Sequence, residues 1–135
     1  MSEDEALNRV ATDLDAICQE MGEPPWRRPV VATRAVRWVL LQWPPGYATV
    51  PHYHPRAVEV FHVLRGQGVF RIGGEDSGEK DWRVGPGALL LAACGVRHAI
   101  TVPGPEPLLV LASVAPNEEA PDETIEGPYE PRPAP

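Results

Sequence analysis

The stretch from Val30 to Val114 constrains the fold more than any other part of the chain, because glycine and proline divide it into short β-branched and aromatic runs. We predict eight strands there: Ala35–Trp43, Val50–His54, Val58–Leu64, Gly68–Ile72, Lys80–Val84, Ala88–Ala92, His98–Val102 and Leu108–Ala115. Closely spaced strands with no helix between them are typical of an antiparallel sandwich or a jelly-roll barrel. The sequence therefore indicates an all-β fold.

Apolar residues near the N-terminus follow helical rather than strand spacing. They recur every three or four positions, at Leu7, Val10, Leu14, Ile17 and Met21. Ser2 and Glu5 have the spacing of a capping box, and Gly22 with the prolines after it ends the pattern. We therefore predict one amphipathic helix over about residues 3–21, docked on the body of the protein or on a partner subunit.

The 135 residues suffice for one domain. We divide them into an N-terminal helix with a proline-rich linker (1–29), a β domain (30–115) and an acidic, proline-rich C-terminal segment (116–135). The last segment has too few apolar residues to build a core, so we expect an extended arm or a disordered tail there.

Acidic residues are concentrated at the two ends of the chain, whose net charge is −7. They outnumber basic residues seven to one in residues 1–23 and six to one in residues 116–135. Ends of this charge repel a polyanion, and the basic residues between them form no stripe. The charge pattern therefore argues against nucleic-acid binding.

We expect neither a membrane span nor an exported protein. The longest apolar run, residues 88–94, has the length of a strand. The first five residues, Met-Ser-Glu-Asp-Glu, lack the charge and polarity of a secretory signal. Cys18 and Cys94 lack the paired spacing of a zinc site, so we interpret them as two reduced thiols of a cytoplasmic protein.

Residues with metal-ligand chemistry occur close together around the second and third predicted strands. His52 and His54 are two positions apart on one predicted strand, so both side chains emerge on the same face. Glu59 follows five residues after His54, and a hairpin would return its carboxylate toward the two imidazoles. His98 supplies a further imidazole at the start of a later strand. Such ligands suit Mn, Fe, Co, Ni, Cu or Zn.

The spacing of these residues resembles that of the cupin family. The first cupin motif, Gly-x5-His-x-His-x3–4-Glu-x6-Gly, is matched throughout by Gly46, His52, His54, Glu59 and Gly66. The second motif, Gly-x5-Pro-x-Gly-x2-His-x3-Asn, is matched at Gly87, Gly95 and His98, whereas Ala93 and Val102 replace its proline and asparagine. The resemblance covers about residues 30–115.

The resemblance implies a cupin-type jelly-roll barrel, also called a double-stranded β-helix. It also implies that one divalent transition metal (Fe, Mn, Ni, Co, Cu or Zn) is held by His52, His54, Glu59 and His98. Because single-domain cupins are commonly dimers, the resemblance further suggests a homodimer, with the end segments as possible crossover arms.

Four protein ligands leave about two positions of an octahedral ion open to a substrate or to dioxygen. We therefore expect a metal-dependent enzyme acting on a small organic acid, an enolate or a sugar-like substrate, of the dioxygenase, decarboxylase or lyase, or isomerase type. The alternative is a non-catalytic cupin that binds or senses a metal or a small ligand. Both interpretations make a small molecule the partner.

Three further residues are candidates for the lining of a pocket. Phe61 shares the predicted strand face of Glu59, and Tyr47 is an aromatic residue that could line the pocket mouth. Arg56 is either a ligand for a substrate carboxylate or a solvated loop residue. Strand alternation places His62 on the face opposite Glu59, so we leave this histidine out of the site.

Overall fold

A computed structural model of the chain describes residues 7–73 and 79–118, and the backbone of residues 132–133. Within these residues the chain forms one helix and ten strands. They are α1 (Leu14–Met21), β1 (Trp26–Ala32), β2 (Arg37–Trp43), β3 (His52–Tyr53), β4 (Val58–Arg65), β5 (Gly68–Ile72), β6 (Lys80–Val84), β7 (Leu89–Ala92), β8 (His98–Thr101), β9 (Leu108–Ala115) and β10 (Arg132–Pro133). Each of the eight strands predicted from sequence is present, with ends that differ by at most two residues.

The strands form two five-stranded sheets in which all neighbours are antiparallel. Sheet A has the order β1-β2-β9-β4-β7, and sheet B has the order β10-β3-β8-β5-β6. The chain crosses repeatedly between the sheets, which is the topology of a double-stranded β-helix. The predicted all-β, jelly-roll fold is therefore confirmed.

The main core lies between the two sheets. Alternation along β4 buries Glu59, Phe61 and Val63 on the inner face and turns His62 to the other face, as predicted. Phe61 meets Phe70 of sheet B edge to face, with ring centroids 5.3 Å apart. Around this pair pack the remaining buried members of the cluster: Trp43, Val63, Leu90, Ala92, Ile100, Val102, Leu108, Val110 and Ala112.

A second, smaller core lies between α1 and the outer face of sheet A. Ile17 of the helix is buried against Val30, Leu40 and Leu109. Central strand β9 is therefore covered on both faces where the helix lies, which explains its nearly continuous apolar sequence, LLVLASVA. The helix is therefore docked on the body of the protein, which is one of the two arrangements predicted from the sequence.

The helix is shorter than the sequence pattern predicted. The prediction of about 3–21 was wrong for residues 7–13, which precede the helix, and its capping box at Ser2 and Glu5 lies outside the described residues. Asp13 caps the helix instead, because its carboxylate accepts a hydrogen bond from the Ala16 amide. Asn8 is hydrogen-bonded to β1 at two points. Its side-chain amide donates to the Ala32 carbonyl and accepts from the Ala32 amide, and its backbone amide donates to the Val30 carbonyl.

Two strands were not predicted. β1 begins at Trp26, within the segment that the sequence analysis assigned to the proline-rich linker, and forms the edge of sheet A beside β2. β10 lies in the acidic C-terminal segment and pairs with β3, the strand that carries His52. Among the described residues no helix has the length and apolar character needed to cross a membrane. Cys18 and Cys94 are both free thiols, as predicted.

Candidate metal centre

Strand pairing brings the four predicted ligands together from both sheets. His52 of β3 lies directly opposite His98 of β8 in sheet B. His54 follows β3, and its carbonyl accepts a hydrogen bond of 2.8 Å from the amide of Gly95, which anchors the loop before β8. Glu59 comes from β4 of sheet A and points inward between the sheets. The site therefore depends on the packing of the two sheets against each other.

The ligand atoms of His52, His54, Glu59 and His98 all lie within 4.8 Å of one another. Oε1 of Glu59 is 2.9 Å from Nε2 of His54 and 2.9 Å from Nε2 of His98. Nε2 of His98 is 3.1 Å from Nε2 of His52. Donor atoms about 2.1 Å from a common ion are roughly 3 Å apart when they subtend a right angle. The observed separations fit that geometry.

Hydrogen-bond accounting at His52 and His98 supports a cation at this point. Nδ1 of His52 lies 2.9 Å from the Val50 carbonyl, and Nδ1 of His98 lies 3.2 Å from the Val96 carbonyl. A carbonyl only accepts, so each Nδ1 carries the hydrogen, and a ring that holds one hydrogen has a bare Nε2. When both rings are neutral, two lone pairs face each other beside the carboxylate of Glu59.

A cation among these atoms converts a repulsive arrangement into an attractive one. A single proton can satisfy one of the close contacts, whereas a divalent ion can accept a lone pair from all four residues at once. The carbonyl bonds at Nδ1 are also the outer contacts that orient metal-bound histidines. The residues present thus fit a mononuclear divalent-metal site.

The surroundings of Glu59 and His52 favour the protonation states that a metal requires. Burial raises the pKa of Glu59, but its contacts with the imidazoles of His54 and His98 outweigh burial and lower the pKa to about 2. Burial lowers the pKa of His52 below its usual value near 6.5, against the opposing effect of its bond to the Val50 carbonyl. At neutral pH the site therefore offers a carboxylate and a neutral imidazole.

A cavity of about 230 Å³ opens beside the four ligands. Its walls are largely apolar, and Phe61 is one of them, as the sequence analysis proposed. The other two pocket candidates lie elsewhere: Arg56 is exposed, and Tyr47 stacks on Trp43 with ring centroids 6.2 Å apart. Neither Arg56 nor Tyr47 lines this cavity.

Sequence reasoning missed two arginines that do line the cavity, Arg27 of β1 and Arg37 of β2. Arg27 is exposed at the rim, whereas Arg37 is only 7% exposed. One sequence pattern could have indicated Arg37: it lies two and four positions before Val39 and Leu41, so strand geometry places all three side chains on the same face. The sequence did not show that this face is the inner one.

A larger groove of about 520 Å³ lies on the outer side of sheet B. Its charged side chains neutralise one another, since Arg71 forms an ion pair of 2.8 Å with Asp81 and Arg97 pairs with Glu79. Of the four clustered ligands only His98 borders this groove. The smaller cavity, which all four ligands line, is therefore the candidate site.

Comparison with known proteins supports the same assignment. A sequence profile described as the cupin domain matches residues 39–114. The chain belongs to the cupin family. Comparison with curated proteins finds no match.

Solved structures with the same fold include proteins of different activities. An uncharacterised protein with a double-stranded β-helix domain from Klebsiella pneumoniae is 22% identical, with a TM-score of 0.63 over 89% of this chain and 91% of that one. KdgF from a Halomonas species is 24% identical, with a TM-score of 0.60 over 70% and 82%. An oxalate oxidase in complex with the substrate analogue glycolate is 26% identical, with a TM-score of 0.58 over 62% and 43%. This cupin therefore shares its fold with an oxalate oxidase and with a protein described as uncharacterised.

Proposed function

We propose that this cupin is a mononuclear metal-dependent enzyme whose substrate is a small organic acid, an enolate or a sugar-like molecule. The observation that carries the proposal is the pair of facing Nε2 atoms of His52 and His98 beside the Glu59 carboxylate, at the wall of a cavity. The glycolate-bound oxalate oxidase, a neighbour in fold, supports a small acid as the substrate class.

A divalent ion bound there would supply Lewis-acid or redox chemistry at about two open coordination positions. Fe, Mn, Ni, Co, Cu and Zn all suit this ligand set. Three neutral imidazoles and one carboxylate leave the site with a charge of about +1, which favours an anionic substrate. The protein ligands hold and orient the reacting centre, and the apolar walls exclude water from it.

The remaining cavity residues limit the choice of reaction. Besides the four ligands, the titratable side chains that line the cavity within the described residues are Arg27 and Arg37. Arginine stays protonated in proteins, so neither residue acts as a general base. This favours reactions in which the metal itself performs the activation.

Turnover assays on metal-loaded protein test the proposal. Small hydroxy acids, keto acids, enolates and sugars are offered to wild-type protein, to chelated protein, and to the His54→Ala and His62→Ala variants. We expect turnover of at least one substrate class, lost on chelation and in His54→Ala but retained in His62→Ala. His62 is the matched control because it lies on β4 but on the opposite face from Glu59.

Two results would contradict the proposal. Turnover that survives both chelation and His54→Ala would show that the reaction does not use this site. Metal-dependent ligand binding without turnover, together with a loss of thermal stability on chelation, would favour the alternative of a non-catalytic binding cupin.

A further inference from the structure

A groove of about 420 Å³ runs along the edge of the sandwich where β6 is the last strand of sheet B and β7 the last strand of sheet A. Its lining consists of six uncharged residues and one lysine: Ile72, Gly73, Lys80, Trp82, Leu89, Leu90 and Leu91. None of these residues lines the cavity at the candidate metal centre. The groove is therefore a separate feature of the molecule.

Two side chains of β6 face the interior of the sandwich but are not covered there. In the register of β5 and β6, Lys80 lies opposite Ile72 and Trp82 lies opposite Phe70. Phe70 is fully buried in the main core, so alternation turns Lys80 and Trp82 toward the space between the sheets. Both residues are nevertheless exposed, Trp82 by 51%. At this edge the inner face of β6 is therefore left uncovered.

The other wall of the groove is β7, an edge strand with three successive leucines. Leu90 belongs to the main core, whereas Leu89 and Leu91 are 66% and 59% exposed. Together with Trp82 they are three of the seven large hydrophobic side chains that are exposed among the described residues. Contiguous exposed apolar groups mark interaction sites, whereas single ones are normal.

Lys80 is the only lysine of the chain and the only charged residue among the described residues that line the groove. Its neighbours Glu79 and Asp81 line the groove on the outer side of sheet B, where they pair with Arg97 and Arg71. Within the described part of the chain no ion pair involves Lys80. An unpaired ammonium beside an apolar surface is complementary to an anion that carries a hydrocarbon chain.

The size of the groove fits a hydrocarbon chain of moderate length. About 420 Å³ equals the volume of roughly fourteen water molecules and lies within the range of small-ligand sites. Because a methylene group is about as large as a water molecule, a carboxylic acid of roughly ten to twelve carbons would fill the groove. Burial of each methylene group favours binding by up to about fourfold.

We propose that this groove binds the free anion of a medium-chain carboxylic acid, with the carboxylate at Lys80 and the chain along Trp82, Leu89 and Leu91. The ammonium of Lys80 donates hydrogen bonds to the carboxylate, and the apolar side chains remove the methylene groups from water. The competing explanation is that an inward-pointing lysine only protects the edge strand against pairing with another chain. The site uses none of the metal ligands, so its test is independent of the proposed function.

Calorimetric titration of the full-length protein with decanoate tests the proposal. Decylammonium carries the same hydrocarbon chain on a positive head group, and non-specific attraction to a protein of net charge −7 favours this cation. We expect decanoate to bind at least tenfold more tightly than decylammonium. We also expect the affinity to rise from hexanoate to octanoate to decanoate by about two- to fourfold per methylene group.

Two variants on β6 separate the role of Lys80 from that of general charge. Lys80→Gln should reduce the preference for decanoate over decylammonium below about threefold. Arg83→Gln removes the same charge from the outer face of the strand, where Arg83 lies opposite Val69, and should retain the preference. Both substituted residues are exposed, so we expect both variants to fold.

Two sets of results would overturn the proposal. No binding of decanoate by the wild-type protein, or equal affinities for decanoate and decylammonium, would leave protection of the edge strand as the role of Lys80. A preference that persists in Lys80→Gln, or an affinity that does not depend on chain length, would overturn the proposal as well. None of these results bears on turnover at the metal centre.

Discussion

Gly66, the last residue of the first motif, is a position where one methyl group should be costly. Its φ is +81°, in the left-handed region that alanine enters at a cost of about 1–2 kcal/mol. A Cβ there would also overlap the carbonyl oxygen of Pro107 and lie 3.0 Å from the Pro107 carbonyl carbon and 3.1 Å from the Leu108 Cα. Because these are backbone atoms, the loop before β9 must shift, which adds about 1–3 kcal/mol.

We therefore predict that Gly66→Ala lowers the free energy of unfolding by about 2–5 kcal/mol, measured by equilibrium unfolding in urea. Gly46→Ala is the matched control, since Gly46 also has a left-handed φ, +85°, but a Cβ there would meet nothing within 4 Å. It should cost about 1–2 kcal/mol, the conformational part alone. Equal losses in the two variants would refute the conclusion that the turn after β4 is tightly packed against the loop before β9.

Two further predictions concern other parts of the fold. Leu40→Ala should destabilise the protein by about 2–5 kcal/mol, because Leu40 of β2 is fully buried where sheet A packs against α1. The control Leu89→Ala changes a residue that is 66% exposed and should alter stability by less than about 1 kcal/mol. Similar losses of stability for the two variants in thermal unfolding would contradict the assignment of Leu40 to the core. Cys94 is exposed, whereas burial raises the pKa of Cys18, so a thiol reagent at pH 8 should modify Cys94 first and Cys18 more slowly, with the Cys18 rate still rising at higher pH. In Cys94→Ser only the slow reaction should remain, and a fast reaction there would show that Cys18 is accessible.

The strands and the cluster of His52, His54, Glu59 and His98 could be predicted from the sequence because both depend on local patterns. Alternation along β4 fixed the face of Glu59, Phe61 and Val63, and the structure has the same alternation. The histidines and Glu59 have the spacing of two cupin motifs, which identified the family, and the cupin profile matches residues 39–114. The homodimer and the cytoplasmic location stay predictions.

The features that the sequence did not reveal depend on contacts between distant segments. β1 contains two arginines and a proline, WRRPVVA, and becomes a strand through its pairing with β2. The helix begins at Leu14, after the cap at Asp13, and Asn8 before it bonds to β1, a contact that helical periodicity cannot show. Arg37 could be recognised as a cavity residue only once the register of β2, β9 and β4 was known.

The metal content of the protein is the most direct test of the central claim. Elemental analysis is made on protein purified without a histidine tag or chelator, before and after reconstitution with a divalent metal. The account predicts about one transition-metal ion per chain in the wild-type protein and none in His52→Ala with His54→Ala, whose circular dichroism should remain that of a folded β protein. Stoichiometric metal in the double variant, or no metal in the reconstituted wild type, would contradict it.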